Sequence, residues 1–222
     1  ENAKKILSLV DTEADATIKR IVENKSVSTQ KENIFTSKYY RPLLLAFLFS
    51  FFNQLSGINA VLYYAPRIFE NAHLDKSSAL LQSAGIGVAN LIFTLLGWYL
   101  IDRVGRRILM FIGSVGYIIT LSLIAYAFYT ESYTLVPVYI FAFIASHAIG
   151  QGSVIWVFIS EIFPNSVRAS GMAWGSLTHW VFAALVANFF PLFTESYGGT
   201  LIFGFFAWNI GLYGQLTYQI AK

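Results

Sequence analysis

The chain has 222 residues, of which 56% are hydrophobic, 17% aromatic and only 12% charged, with a net charge of +3 and no cysteine. Soluble domains carry roughly a quarter charged residues, so this composition excludes an ordinary soluble fold. The lack of cysteine excludes disulfides and thiolate metal sites, and no metal, cofactor or nucleic-acid partner is expected.

Residues 1–41 form the polar part of the chain. Ile6, Leu7, Leu9, Val10, Ala14, Ile18, Ile21 and Val22 recur at helical spacing among charged residues, and 26–36 reads as a polar linker. The segment is therefore expected to be a helical element of its own on the cytoplasmic side, without the apolar stretch of a signal peptide. From residue 42 onward six uncharged runs follow, at 42–66, 79–101, 108–130, 132–160, 169–194 and 196–221. A helix needs about 20 residues to cross about 30 Å of hydrocarbon, and every run exceeds that length. The expected fold of 42–222 is thus an all-α membrane domain of six transmembrane helices embedded in the lipid bilayer.

Charge orients these helices. Thirteen of the fifteen basic residues fall before residue 42, in the 102–107 loop, at Arg168 or at Lys222. Only Arg67 and Lys76 lie at the other ends, beside Glu70, Asp75, Glu131 and Glu195. The positive-inside rule places both chain ends and the 102–107 and 161–168 loops in the cytoplasm, and a bacterial inner membrane is the expected location.

The first run contains Asn53-Gln54-Leu55-Ser56-Gly57-Ile58-Asn59, followed by Tyr63 and Tyr64. Polar groups in hydrocarbon cost several kcal/mol each unless they find partners, so these side chains should face a cavity or another helix. Amides and phenols are uncharged and hydrogen-bond in both directions, which suits a neutral polyhydroxylated ligand. Gly57 among them is a place where a helix loosens, and discontinuous helices near the midplane bind substrates in transporters.

Between runs two and three stands Asp102-Arg103-Val104-Gly105-Arg106-Arg107, where an acid ending one helix can pair with arginines opening the next. The fourth run contains Gly150-Gln151-Gly152-Ser153-Val154-Ile155-Trp156 and leads into Glu161-Ile162-Phe163-Pro164-Asn165-Ser166-Val167-Arg168. Its interior has no proline after Pro137, so any bend rests on Gly150 and Gly152. On an ideal helix His147 faces opposite Trp156. No run holds a carboxylate pair, a Ser-His-Asp set or a metal-ligand cluster, so no enzyme is expected.

These three elements resemble, in order, the N-Q-L-S-G-I-N, D-R-x-G-R-R and E-x-F-P-x-x-x-R signatures of the sugar porters of the major facilitator superfamily. The resemblance implies helices seven to twelve of a twelve-helix carrier, with the facing N-terminal six-helix half as the partner that completes the pathway. It implies that Gln54, Asn59 and Tyr63 of the seventh helix, Asn90 of the eighth, and Gly152 and Trp156 of the tenth contact the sugar. Asn53 stands where most members carry a second glutamine. His147 stands where relatives commonly have an aromatic residue. His179, before Trp180, stands where they carry asparagine or glutamine, and both residues of that pair join the candidate contacts. Asp102, Arg103, Arg106, Arg107, Glu161 and Arg168 are expected to form a charge network on the cytoplasmic side. The implied activity is alternating-access transport of a monosaccharide or polyol, by proton symport or uniport, with a sugar receptor as the alternative.

Overall fold

The computed structural model describes residues 13, 15–20, 32–73 and 75–221, and all regular structure among them is helical. Residues 15–20 are helical; the rest of the amphipathic stretch expected before residue 31 lies outside the described residues, apart from residue 13. The bundle comprises α1 (Tyr40–Gln54), α2 (Ile58–Asn71), α3 (Lys76–Val104), α4 (Arg106–Tyr129), α5 (Val136–His147), a π turn (Ala148–Gly152), α6 (Ser153–Ile162) and α7 (Arg168–Ala221).

Among the described residues, five continuous helical stretches are long and apolar enough to cross a membrane, against six uncharged runs in the sequence. The difference lies in α7. Its 54 residues would reach about 80 Å as one rod, far more than a bilayer's hydrocarbon. At Gly198 the backbone leaves the helical region, with φ 76° and ψ 166°. The chain turns back there. Trp174 donates to the Leu43 carbonyl at the start of α1, and Glu195 meets Arg67 at the far end of α2. Beyond the break, Phe203 stacks on Phe128 near the end of α4, and Tyr213 packs edge-on against Phe49 midway along α1. Residues 168–197 and 199–221 are therefore two antiparallel crossings joined by a break.

Two other crossings are interrupted near their middles. α1 stops at Gln54, and Leu55-Ser56-Gly57 form a turn before α2. Gly57 sits at φ 77°, in the left-handed region, and a Cβ there would lie 2.2 Å from the Phe206 ring. Only glycine satisfies both conditions. The Ser56 hydroxyl stitches the turn, donating to the Asn53 carbonyl at 2.5 Å and accepting from the Ile58 N–H at 3.3 Å. Farther along α2, Tyr64 departs from helical geometry two residues before Pro66, whose ring cannot supply a backbone donor. In the fourth crossing the π turn separates α5 from α6. There Gly150 lies against Gly113 of α4 so closely that a Cβ would meet the Gly113 Cα at 2.7 Å. Such small-residue contacts let backbones touch, which matters in lipid because apolar side chains gain little by leaving one hydrocarbon for another.

Asp75 caps α3 by accepting from the Ser77 and Ser78 N–H groups. The hydrogen bonds to Ser78 and Ser77 hold its carboxyl down at about 2. α3 leaves Leu91, Ile92, Leu95 and Trp98 exposed, as befits an integral membrane protein with several crossings.

Gly57→Ala should cost ~2–5 kcal/mol, combining left-handed strain with overpacking against Phe206. Thermal unfolding of the purified protein in detergent measures it, and an unchanged Tm would mean that the turn is not built as described.

Candidate functional site

The first break does more than bend a crossing. By ending α1 at Gln54 and restarting the helix at Ile58, it folds Asn59 back toward the residue five places earlier. The Asn59 side chain donates to Gln54 Oε1 at 2.8 Å. The Gln54 Nε2 group faces both ring nitrogens of His179, at 3.1 Å from Nδ1 and 2.9 Å from Nε2, and lies 3.3 Å from Asn53 Oδ1. Gln54 and Asn53 are buried. One amide thus joins α1, α2 and α7, with both its polar atoms engaged. Because Gln54 donates here, the facing His179 nitrogen accepts, which requires the neutral imidazole.

Trp156 of α6 packs its ring on His179, with centroids 4.9 Å apart, and Trp180 meets the same imidazole edge-on at 5.3 Å. The cluster is therefore three amides, one imidazole and a half-buried indole, without formal charge. Asn53 Nδ2 is buried and has no hydrogen-bond partner among the described residues. In low dielectric an unmade hydrogen bond costs about 1–3 kcal/mol, so this donor is primed for an acceptor.

The other expected contacts are placed differently. Asn90 is half-buried midway along α3, and no hydrogen bond to a described residue engages it. Tyr63 is exposed on α2, four residues beyond Asn59 on the same helix face, and Trp180 is exposed beyond its ring contact. Gly152 closes the π turn. His147 pairs through Nδ1 with the hydroxyl of Tyr117, a fully buried residue of α4.

Sequence reading passed over three participants. Ser56 ties the turn, and Tyr117 engages His147. The Gln151 side chain, buried in the π turn, donates to Ser114 Oγ at 2.8 Å. Gln151 carried the same signal as Gln54, an amide in a charge-free run, whereas nothing separates Tyr117 from an ordinary apolar aromatic in sequence.

At the arginine-rich end, Arg106 bridges Asp102 at 3.4 Å and Glu161 at 3.2 Å, so the 102–107 loop is fastened to the end of α6. Arg103 instead lies over the Tyr99 ring, 4.1 Å from its centroid. Arg107 is engaged as well. Arg168 opens α7 exposed and makes no ion pair with another described residue.

The profile of the family described as "Sugar (and other) transporter" matches residues 1–219. The chain belongs to this family. It is 33% identical over 213 residues to the arabinose-proton symporter of Bacillus subtilis, an alignment covering 92% of this chain and 46% of the relative. It is 36% identical over 178 residues to the D-xylose-proton symporter of Escherichia coli K12, covering 79% of this chain and 36% of the relative. The crystal structure of a double-tryptophan mutant of XylE superposes with a TM-score of 0.79 at 30% identity, over 98% of this chain and 47% of that one. XylE is a major facilitator superfamily transporter, and the fold here is part of that architecture. The chain spans less than half the length of these curated relatives. Within a sugar-transporter family, the uncharged character of the Gln54 cluster becomes chemically pointed: it offers donors and acceptors without a charge to desolvate.

His179→Leu would leave the buried Gln54 amide donor without its main acceptor and should cost about 1–3 kcal/mol of stability. His179→Gln restores an acceptor and should recover most of it. Unfolding of both variants in detergent is the check, and equal stability of the two would remove His179 from the cluster's support.

Proposed function

We propose that the complete polypeptide carries a small neutral sugar or polyol across the membrane by alternating access, and that Gln54, Asn59, Asn53 and Trp156 contact it. The observation that carries this reading is the Gln54 amide cluster at mid-crossing, beside a helix break, in a chain of the sugar-transporter family. Transporter sites of this kind use loosened helices to present polar groups at the midplane. An indole face complements sugar C–H groups while amides meet hydroxyls. Asn90, Tyr63, Gly152, His147, His179 and Trp180 complete the proposed lining. The facing helices of the carrier supply the rest, because no half-bundle encloses such a pathway alone.

Proton symport is the favoured mode, on the strength of the arabinose and xylose relatives' names. The arginine-rich end is proposed as cytoplasmic by the positive-inside rule. There the Asp102–Arg106–Glu161 bridge serves as a latch that holds this end closed while the carrier opens outward.

Two measurements test the reading. In liposomes holding the complete polypeptide, labelled xylose, arabinose or glucose should enter saturably, and Gln54→Ala should weaken binding of the transported sugar by about 1–3 kcal/mol. Unchanged affinity would remove Gln54 from the site. Glu161→Gln weakens only the state in which the latch is closed, so the population should move toward inward-open forms. Distances between spin labels across the arginine-rich end report it, and an unchanged distribution would reject the latch.

A further inference from the structure

His147 and Trp156 are nine positions apart, about two and a half turns of α-helix, which puts them on opposite faces. The intervening π turn changes that relation. Its i→i+5 bonding takes more residues per turn, so the helix under-rotates between them. His147 then reaches along the turn toward Gly152, with Nε2 2.8 Å from where a Cβ on that glycine would stand. Gly152 and Trp156 are four apart and share a helix face. The bare Cα of Gly152 is what leaves room for the imidazole beside this face.

The opposite edge of the ring is fixed by another helix. His147 Nδ1 meets the Tyr117 hydroxyl of α4, and the rings lie 5.9 Å apart by centroid. A phenol is a far stronger acid than a neutral imidazole N–H, and imidazole the stronger base, so the hydroxyl donates and Nδ1 accepts. A neutral imidazole carries one proton. With Nδ1 accepting, that proton sits on Nε2, the nitrogen beside Gly152. The Tyr117 ring itself is fully buried and packs against Phe143, and the Ser56 hydroxyl is the other neighbour of its oxygen; an imidazole nitrogen is the stronger base of the two, so the phenol proton goes to His147.

We infer that Tyr117 is a positioning residue for sugar binding: it sets the tautomer of His147 so that Nε2–H is presented as a hydrogen-bond donor beside Gly152 and Trp156. The inference rests on the transport site proposed above. It gives the two histidines opposite duties. His179 accepts from Gln54 and braces the amide cluster, while His147 donates toward the ligand. A hydroxyl oxygen of the sugar is the acceptor this arrangement fits.

The test uses the complete polypeptide, with xylose, arabinose and glucose as probes and Gln54→Ala as the reference variant. Imidazole 15N shifts of His147 in the unsubstituted protein should show the proton on Nε2. Tyr117→Phe removes one oxygen, should mix the tautomers, and should raise the sugar Kd roughly 2- to 10-fold, the range for one hydrogen bond. His147→Leu should raise it similarly, and the double substitution should add nothing more. A proton on Nδ1 in the unsubstituted protein, or a Tyr117→Phe variant with unchanged tautomer and Kd, would overturn the inference while Gln54→Ala still weakened binding. Should Gln54→Ala leave binding intact, the transport site itself is misplaced and the inference falls with it. If Tyr117→Phe does not fold, the tautomer in the unsubstituted protein decides.

Discussion

The arrangement depends on how one buried amide is satisfied. Gln54 sits midway through a membrane crossing, where an unpaired polar group costs several kcal/mol. Its carbonyl takes the Asn59 donor and its amino group faces His179, so two crossings meet at this side chain. An apolar residue here would remove the cost and also the reason for α2 and α7 to hold their relative register. Polar bonds between membrane helices average only about 0.6 kcal/mol net, so their worth lies in specifying geometry more than in holding helices together.

That geometry needs two irregular backbones. The left-handed turn at Gly57 brings Asn59 onto Gln54, and the π turn at 148–152 reorients the face that carries Trp156. Each is backed by a tight contact, Phe206 on Gly57 and Gly113 on Gly150. The breaks are therefore pinned by packing instead of being loose points in the chain. They also lie next to each other through side chains: Ser56 stitches the first turn, Tyr117 reaches the residue that opens the second, and Trp156 beyond the second packs at a tilt against the histidine that serves the first. A ligand that displaced one partner of Gln54 would disturb both, which is a physical route by which occupancy of the site could bias helix arrangement.

Much of this was legible in the sequence. Charge-free runs announce crossings because hydrocarbon tolerates so few charges, and amides within such a run announce a polar purpose. The crossing count was harder to see in the folded chain, because Gly198 breaks direction without breaking helical hydrogen bonding on either side. The break at Gly57 could be anticipated from composition, whereas the π turn could not, since Gly150 and Gly152 mark a weak point without specifying which irregular helix forms there. The charge network was visible as a cluster but not as a wiring diagram. Arg106 takes both acids, Arg103 turns to Tyr99, and Arg168 pairs with neither, a choice made by helix-end geometry that no spacing rule encodes. Tyr117 was invisible for a simpler reason: a tyrosine in an apolar run reads as packing until its hydroxyl is seen to meet His147.

A structure of the complete polypeptide with a bound monosaccharide tests the central claim most directly. The account predicts sugar density within hydrogen-bond reach of the Gln54 and Asn59 amides, with a ring face against Trp156 and the Asn53 amide donor engaged. Sugar bound elsewhere, with Gln54 still holding Asn59 and His179 as its only partners, would contradict it.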